Sequence, residues 1–246
     1  MVYFIGAGPG DPELISVKAM KILQKADAVL YTGSLVPKEV LSWCKEDAII
    51  QDSQGMKYPE IFEFLLQHKA KIVARVHTGD PSLYSTIAKQ IEYLKAHDIA
   101  YSVIPGITAA FGAAASLGIE YTIPGVSQTI ILTRVEGKTP NPEALENILS
   151  CKHSSHAFYL SILLIKKIKN TALKLGYSEE TPCWVVEKAT WSDEKIYKGS
   201  ITTIEEKVKH IKGVALILFG AFLHQKESEE SHLYVKPLIK ELENRA

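Results

Sequence analysis

Ile72-Val73-Ala74-Arg75-Val76-His77-Thr78-Gly79-Asp80-Pro81-Ser82-Leu83-Tyr84 is the stretch whose reading decides the fold. Its apolar start reads as a buried strand. The strand breaks at Gly79-Asp80-Pro81 and leads into a helix-like segment from Ser85 to Lys95. A strand that ends in a glycine turn and feeds a helix is where open α/β sheets place their ligands. Gly79 lets a ligand approach the backbone, and Asp80 can accept hydrogen bonds from a polar cofactor. The same residues also read as an ordinary turn, with Asp80 as a helix cap and Pro81 at the first helical position. Companion turns elsewhere in the chain favour the first reading.

Working outward, Val2-Tyr3-Phe4-Ile5 reads as a strand running into Gly6-Ala7-Gly8-Pro9-Gly10-Asp11-Pro12. Ser16 is placed to cap a helix whose apolar face is Val17, Met20, Ile22 and Leu23. The glycine run departs from a dinucleotide-binding fingerprint, because Asp11 stands where the third glycine is needed. Pro9 and Pro12 also lack the N–H groups that would cradle a pyrophosphate. The loop is expected to line a cleft without binding phosphate.

Further strands are expected at 28–31, 48–50, 101–104, 129–133, 156–160, 182–186 and 213–219. Helices are expected from Pro37 to Trp43, and at 59–68, 109–117, 165–175 and 204–211, with a charged tail from His224. The alanine- and glycine-rich helix 109–117 would pack close to a neighbour or leave room for a ligand. Gly118 to Gly125 carries two glycines and Pro124, which sets an expected domain boundary: 1–118 and 119–246. Strands alternating with helices in both halves predict two α/β domains.

The 246 residues are 46% hydrophobic and 23% charged, with a formal net charge of zero. No global field draws nucleic acid or anionic lipid, so an anionic ligand has to be held by local groups. Arginine is scarce, at Arg75, Arg134 and Arg245 only, which makes an arginine near a candidate site informative. Cys44, Cys151 and Cys183 lie far apart without metal-ligand spacing, and read as reduced thiols. The longest apolar run, Val214 to Leu223, is too short to span a bilayer. The expectation is a cytoplasmic protein with no metal ligands of its own and no nucleic-acid or membrane partner.

The order and spacing of three turns, Gly6–Pro12, Thr78-Gly79-Asp80-Pro81 and Pro105-Gly106-Ile107-Thr108-Ala109-Ala110, resemble the tetrapyrrole methylases, a superfamily of S-adenosylmethionine-dependent methyltransferases. The likeness runs from Val2 to about Ile201. The stretches Tyr31–Pro37, Thr78–Tyr84, Val126–Arg134 and Ala189–Lys195 are similar to one branch of that family. Its members methylate ring carbon 11 of precorrin-4 or cobalt-precorrin-4 in cobalamin synthesis. The resemblance implies two α/β/α domains with a cofactor and substrate trough between them, in a homodimer. It assigns the methyl donor to Pro9, Thr78, Gly79, Asp80, Leu83, Thr108, Ala109, Leu160 and Ala189. Many relatives carry glycine or methionine where this chain has Thr78, Leu160 and Ala189. Leucine keeps the volume of methionine, whereas Ala189 adds a methyl group to a glycine position.

Transfer of a methyl group from a sulfonium disperses charge, so a dry cleft with apolar and neutral walls suits the chemistry. Positioning donor and acceptor in line supplies about 7–11 kcal/mol of the barrier. Neither a strong nucleophile nor a metal is then required. Asp11, Asp80 and Glu187 are the titratable candidates for removing a proton, and none is assigned that role. The carboxylate arms of a tetrapyrrole call for basic groups, with Arg134 first and Lys138 and Lys188 behind it. Arg134 also reads as a structural ion pair with Glu136. Ser34 and Leu35 are expected to face the substrate. A sister methylase (uroporphyrinogen methyltransferase or diphthine synthase) and an NAD-dependent oxidoreductase are the competing readings. The turn at Ser34–Pro37 and the missing third glycine argue against them.

Overall fold

The computed structural model describes residues 1–137 and 139–224, so Lys138 and the tail beyond His224 lie outside the described residues. The first half builds strands β1 (Val2–Gly6), β2 (Ala28–Tyr31), β3 (Ile49–Asp52), β4 (Val73–His77) and β5 (Tyr101–Ile104). They form one sheet in the order β3-β2-β4-β1-β5, and every pairing is parallel. Parallel strands need crossovers. Helices α1 (Val17–Leu23), α2 (Tyr58–Gln67), α3 (Ile87–Ala96) and α4 (Ala109–Leu117) supply them, with a 3-10 turn at Lys38–Trp43.

Both faces of this sheet are covered, which is why its strands read as apolar runs without alternation. Ile5, Val29, Ala74, Val76 and Ile104 face Ala19 and Leu23 of α1 and Val40 of the 3-10 turn. On the other face Val2, Phe4, Leu30 and Val73 pack against Ile61, Phe64 and Leu65 of α2 and Leu94 of α3. Ser16 caps α1 as expected, accepting from the Ala19 N–H at 3.2 Å. Helix α3 instead starts after Thr86, which has φ of 55°. Asp80 therefore caps no helix.

The second half builds β6 (Thr129–Thr133), α5 (Leu145–Ser150), β7 (Ser154–Phe158), α6 (Ile165–Lys174), β8 (Pro182–Glu187), β9 (Lys195–Ser200), α7 (Ile204–Val208) and β10 (Ala215–Phe219). The sheet order is β6-β7-β10-β8-β9. Only β6 and β7 pair in parallel, because β10 enters between β7 and β8 in the opposite sense and β9 folds back on β8. The expected plain alternation of strand and helix breaks down here. Strand β9 has the pattern Lys-Ile-Tyr-Lys-Gly-Ser, an edge strand half polar by composition, and periodicity alone passes over it. Phe158, Val185, Ile217 and Phe219 pack one face of this sheet against Leu149 of α5, Ile168 of α6 and Val208 of α7.

Among the described residues two compact units result, 1–116 with Lys188–Glu194, and 117–187 with 195–224. The sequence expectation is a single crossing at Gly118; this partition crosses after Ser116 and has a second excursion. The stretch Lys188–Glu194, which joins β8 to β9, belongs to the first unit. Long-range hydrogen bonds, invisible to local composition, put it there.

Candidate functional site

Because the first sheet is wholly parallel, the turns after β1, β2, β4 and β5 all leave its carboxyl edge. Three of them pack backbone on backbone. Gly8 and Gly79 form a two-residue bridge, with Gly79 N–H donating to Gly8 O at 2.8 Å and Gly8 N–H to Gly79 O at 3.3 Å. A Cβ on Gly106 would lie 2.2 Å from Gly79 O and 2.8 Å from the Cα of Gly6. Only glycine permits that approach. Gly79 itself has φ of 62°, the left-handed region.

Asp80 ties the assembly together. Its Oδ2 accepts from the Gly106 N–H at 2.9 Å, and its Oδ1 accepts from the backbone N–H and the hydroxyl of Ser82. Partial burial pushes its carboxyl up, but the hydrogen bonds from Ser82 and Gly106 outweigh that and hold it below the ordinary value of 3.8. The residue thus orients two turns as an anion. Thr108 and Ala109 stand beside Gly79, whose Cβ position lies 3.6 Å from the Thr108 Cα. The N–H of Leu83 closes the turn on Asp80 O at 3.1 Å.

Three backbone N–H groups of the loop Gly6–Pro12 are engaged within the protein. Ala7 donates to His77 O at 2.8 Å, Gly8 to Gly79 O, and Asp11 to the Thr190 hydroxyl at 3.0 Å. The Asp11 carboxylate accepts from Glu13 N–H and caps a 3-10 turn. Beside the loop lies an open groove of about 360 Å³, lined by Glu13, Leu14, Ile15, Ser16, Pro105, Gly106 and Ile107. Its polar side chains are few.

Six of the nine assigned donor residues, Pro9, Gly79, Asp80, Thr108, Ala109 and Ala189, converge around these turns, with Thr78 and Leu83 on the same segment. Leu160 follows β7 in the second unit, 68% exposed and with φ of 53°. A bulky residue in that conformation is strained, and such strain gathers at functional sites. Ser34 and Leu35 occupy the turn after β2, pinned where Asp52 Oδ1 accepts from the Gly33 N–H at 2.9 Å. Since β2 is the sheet neighbour of β4, this turn and the Gly79 turn emerge side by side.

Arg134 closes its own loop. It donates to the carbonyls of Thr139 at 3.0 Å and Pro140 at 2.6 Å, and the ion pair read with Glu136 does not occur among the described residues. Lys188 pairs with Asp193 and lies 5.5 Å from the centre of the Trp191 ring. Glu187 accepts from the Tyr197 hydroxyl at 3.2 Å. All three carboxylates considered as proton acceptors, Asp11, Asp80 and Glu187, are therefore engaged in holding local structure. Among the described residues no three His, Cys, Asp or Glu side chains converge as a metal cluster, and no helix is long and apolar enough to cross a membrane.

The family model described as tetrapyrrole (corrin/porphyrin) methylases matches residues 1–205. The chain belongs to this family. Within it, the chain is 44% identical over 240 residues to a cobalt-precorrin-4 C(11)-methyltransferase of Methanocaldococcus jannaschii, covering 96% of this chain and 93% of that one. Among solved structures it resembles a cobalamin biosynthetic enzyme, cobalt precorrin-4 methyltransferase, with a TM-score of 0.87 and 42% identity over 90% of this chain and 95% of that one. A uroporphyrin-III C-methyltransferase of Thermus thermophilus, solved with S-adenosylhomocysteine, shares the fold at a TM-score of 0.77 and 26% identity, over 91% of this chain and 98% of that one.

The side chains in place suit the family's methyl donor. Among the residues that the family resemblance assigns to the donor, Asp80 is the sole charged one. The stretch Ala189–Lys195 reads in the sequence as marking a branch of the family, but its contacts do not show there: Thr190 and Trp191 fasten the β1 turn, and Glu194 accepts from Ser116 of α4. The signal available was the pair of small residues they rest on, Gly10 and Gly112.

Proposed function

We propose that this chain is an S-adenosylmethionine-dependent methyltransferase that methylates ring carbon 11 of precorrin-4 or its cobalt chelate, giving the corresponding precorrin-5 in cobalamin biosynthesis. Near-full-length likeness to the cobalt-precorrin-4 C(11)-methyltransferase carries the reading. S-adenosylmethionine supplies an electrophilic methyl group on a cationic sulfur. The protein's part is positioning. Gly79 and Gly106 bring backbone close to the donor, Asp80 locks their turns, and Thr108 and Ala109 begin the helix beside them. Leu160 and Ala189 add apolar surface. Neutral, apolar surface at these turns suits a reaction in which charge disperses.

Ser34, Leu35 and Arg134 are the proposed substrate contacts. Arg134 has five N–H donors, and the two carbonyls it already serves leave others for a carboxylate arm. A homodimer in the cytoplasm completes the reading, and sedimentation velocity tests the assembly.

The deciding experiment incubates the protein with S-adenosylmethionine and either precorrin-4 or cobalt-precorrin-4, and follows the tetrapyrrole by mass spectrometry. Gain of one methyl group, located at ring carbon 11 by carbon-13 labelling, is the expected result. Binding of S-adenosylhomocysteine with no product from either tetrapyrrole would overturn the substrate assignment and leave a methyltransferase of another specificity.

A further inference from the structure

The seven residues Lys188–Glu194 leave strand β8 and return to β9, yet they fold into the first unit. Three hydrogen bonds and two close glycine contacts hold them to it. Trp191 Nε1–H donates to Pro9 O at 3.0 Å. The Thr190 hydroxyl accepts from Asp11 N–H at 3.0 Å. Glu194 Oε2 accepts from the hydroxyl of Ser116, the residue before the end of α4, at 2.8 Å, and from the N–H of Thr190. Gly10 lies so close that a Cβ there would stand 2.3 Å from the Trp191 ring and 2.7 Å from Ala189 O. A Cβ on Gly112 of α4 would meet Pro9 at 2.7 Å and Thr190 at 3.2 Å.

The conformation of the strap is also unusual. Lys188 and Thr190 have φ of 53° and 65°, a region that a β-branched residue such as threonine occupies only when its surroundings impose it. A plain connection between two antiparallel strands has no need of such strain. Here the strained backbone presents three hydrogen-bonding groups to two separate elements, the β1 turn and helix α4. Ala189 sits between the strained residues and is buried.

We propose that Thr190, Trp191 and Glu194 are positioning residues for the methyl donor. By clamping Pro9 and Asp11 from one side and α4 from the other, they set the distance between the β1 turn and the Thr108–Ala109 end of that helix. The donor site is then complete only when a stretch encoded some 180 residues downstream is seated on it. This inference rests on the donor site proposed above.

The test is calorimetric titration with S-adenosylhomocysteine on the full chain and on Trp191→Phe, Thr190→Val and Thr190→Ser. Phenylalanine keeps the ring and removes the donor; valine keeps the shape and removes the acceptor; serine restores it. Trp191→Phe and Thr190→Val are expected to weaken binding about tenfold each, with Thr190→Ser within about threefold of wild type. In turnover, KM for S-adenosylmethionine rises while KM for the tetrapyrrole stays within about twofold. That split, with the serine rescue, separates positioning from general loss of stability, which would lower the active fraction and leave KM alone. Wild-type binding with unchanged affinity in Trp191→Phe and Thr190→Val overturns the strap's role alone. Absence of wild-type binding overturns the donor site and the strap together.

Discussion

Asp80 Oδ2 lies 2.9 Å from the backbone nitrogen of Gly106, which ties the turn after β4 to the turn after β5 across the intervening strand β1. A carboxylate spent in this way acts on a ligand through the backbone it orients. Replacing Asp80 by alanine frees both turns and strands the Gly106 N–H. The expected outcome is S-adenosylhomocysteine affinity lower by about tenfold, read by calorimetry. Unchanged affinity would move the donor away from these turns.

The same carboxyl predicts an acid dependence. Its folded pKa lies below the unfolded value, so the stability it contributes is present above that unfolded value and is lost as pH falls through the folded one. Asp80→Asn should therefore lose less stability than wild type on acidification below about pH 4 in urea titrations. Parallel curves for the two proteins would refute the assignment.

His77 acts over a higher window. Burial, with Arg75 nearby, lowers its pKa to about 3, and its Nε2 meets no hydrogen-bond partner among the described residues. The unfolded chain takes up a proton below about pH 6.5 that the folded chain refuses, so stability falls with pH between those limits. The slope from this residue is about 1.4 kcal/mol per pH unit near pH 5. Buried His156 is shifted in the same direction by its own burial. In His77→Phe the slope should drop by one proton's worth, measured as urea stability at several pH values; an undiminished slope would mean that folded His77 accepts the proton.

Gly106→Ala puts a methyl group 2.2 Å from the Gly79 carbonyl oxygen, and the obstruction is backbone that cannot swing aside. A cost of about 1–3 kcal/mol in stability, with loss of S-adenosylhomocysteine binding, is expected. Gly213→Ala is the control, since nothing lies within 4 Å of its added carbon. Equal effects of the two substitutions would show that the contact of the three turns is unimportant.

Arg75 is 5% exposed and, among the described residues, pairs with no carboxylate at salt-bridge distance. It donates instead to Leu30 O at 3.1 Å, Ser53 Oγ at 3.0 Å and Gln90 Oε1 at 3.3 Å, and burial lowers its pKa to about 10. Ser53 in turn reaches Tyr31 O and the Thr32 hydroxyl, at the start of the turn carrying Ser34 and Leu35. Arg75→Met should lose about 2–4 kcal/mol by chemical denaturation, from polar groups left unserved in the interior. A neutral outcome would mean that water or a neighbour replaces the guanidinium.

What the sequence determined by itself was whatever local chemistry dictates. Continuous apolar runs bounded by Gly-Asp-Pro, Pro-Gly and Gly-Ala-Gly marked the strands and turns of the first unit, because buried parallel strands are apolar on both faces and their ends require glycine or proline. The three turns that converge on Gly79 were legible for that reason. Tertiary structure alone decided the rest. Direction of pairing is not written in periodicity, so the antiparallel entry of β10 and the edge strand β9 appeared only with their partners. Asp80 read as a cap or a ligand until Gly106 was seen to occupy it, since an aspartate after a strand looks the same in either role. Arg134 read as a contact for a substrate carboxylate or as an ion-pair partner, and its fork meets two backbone carbonyls, which have no sequence signature. The seating of Thr190 and Trp191 on Pro9 and Asp11 spans some 180 residues, and contacts at such separation are set by packing and hydrogen-bond geometry, which no local pattern encodes.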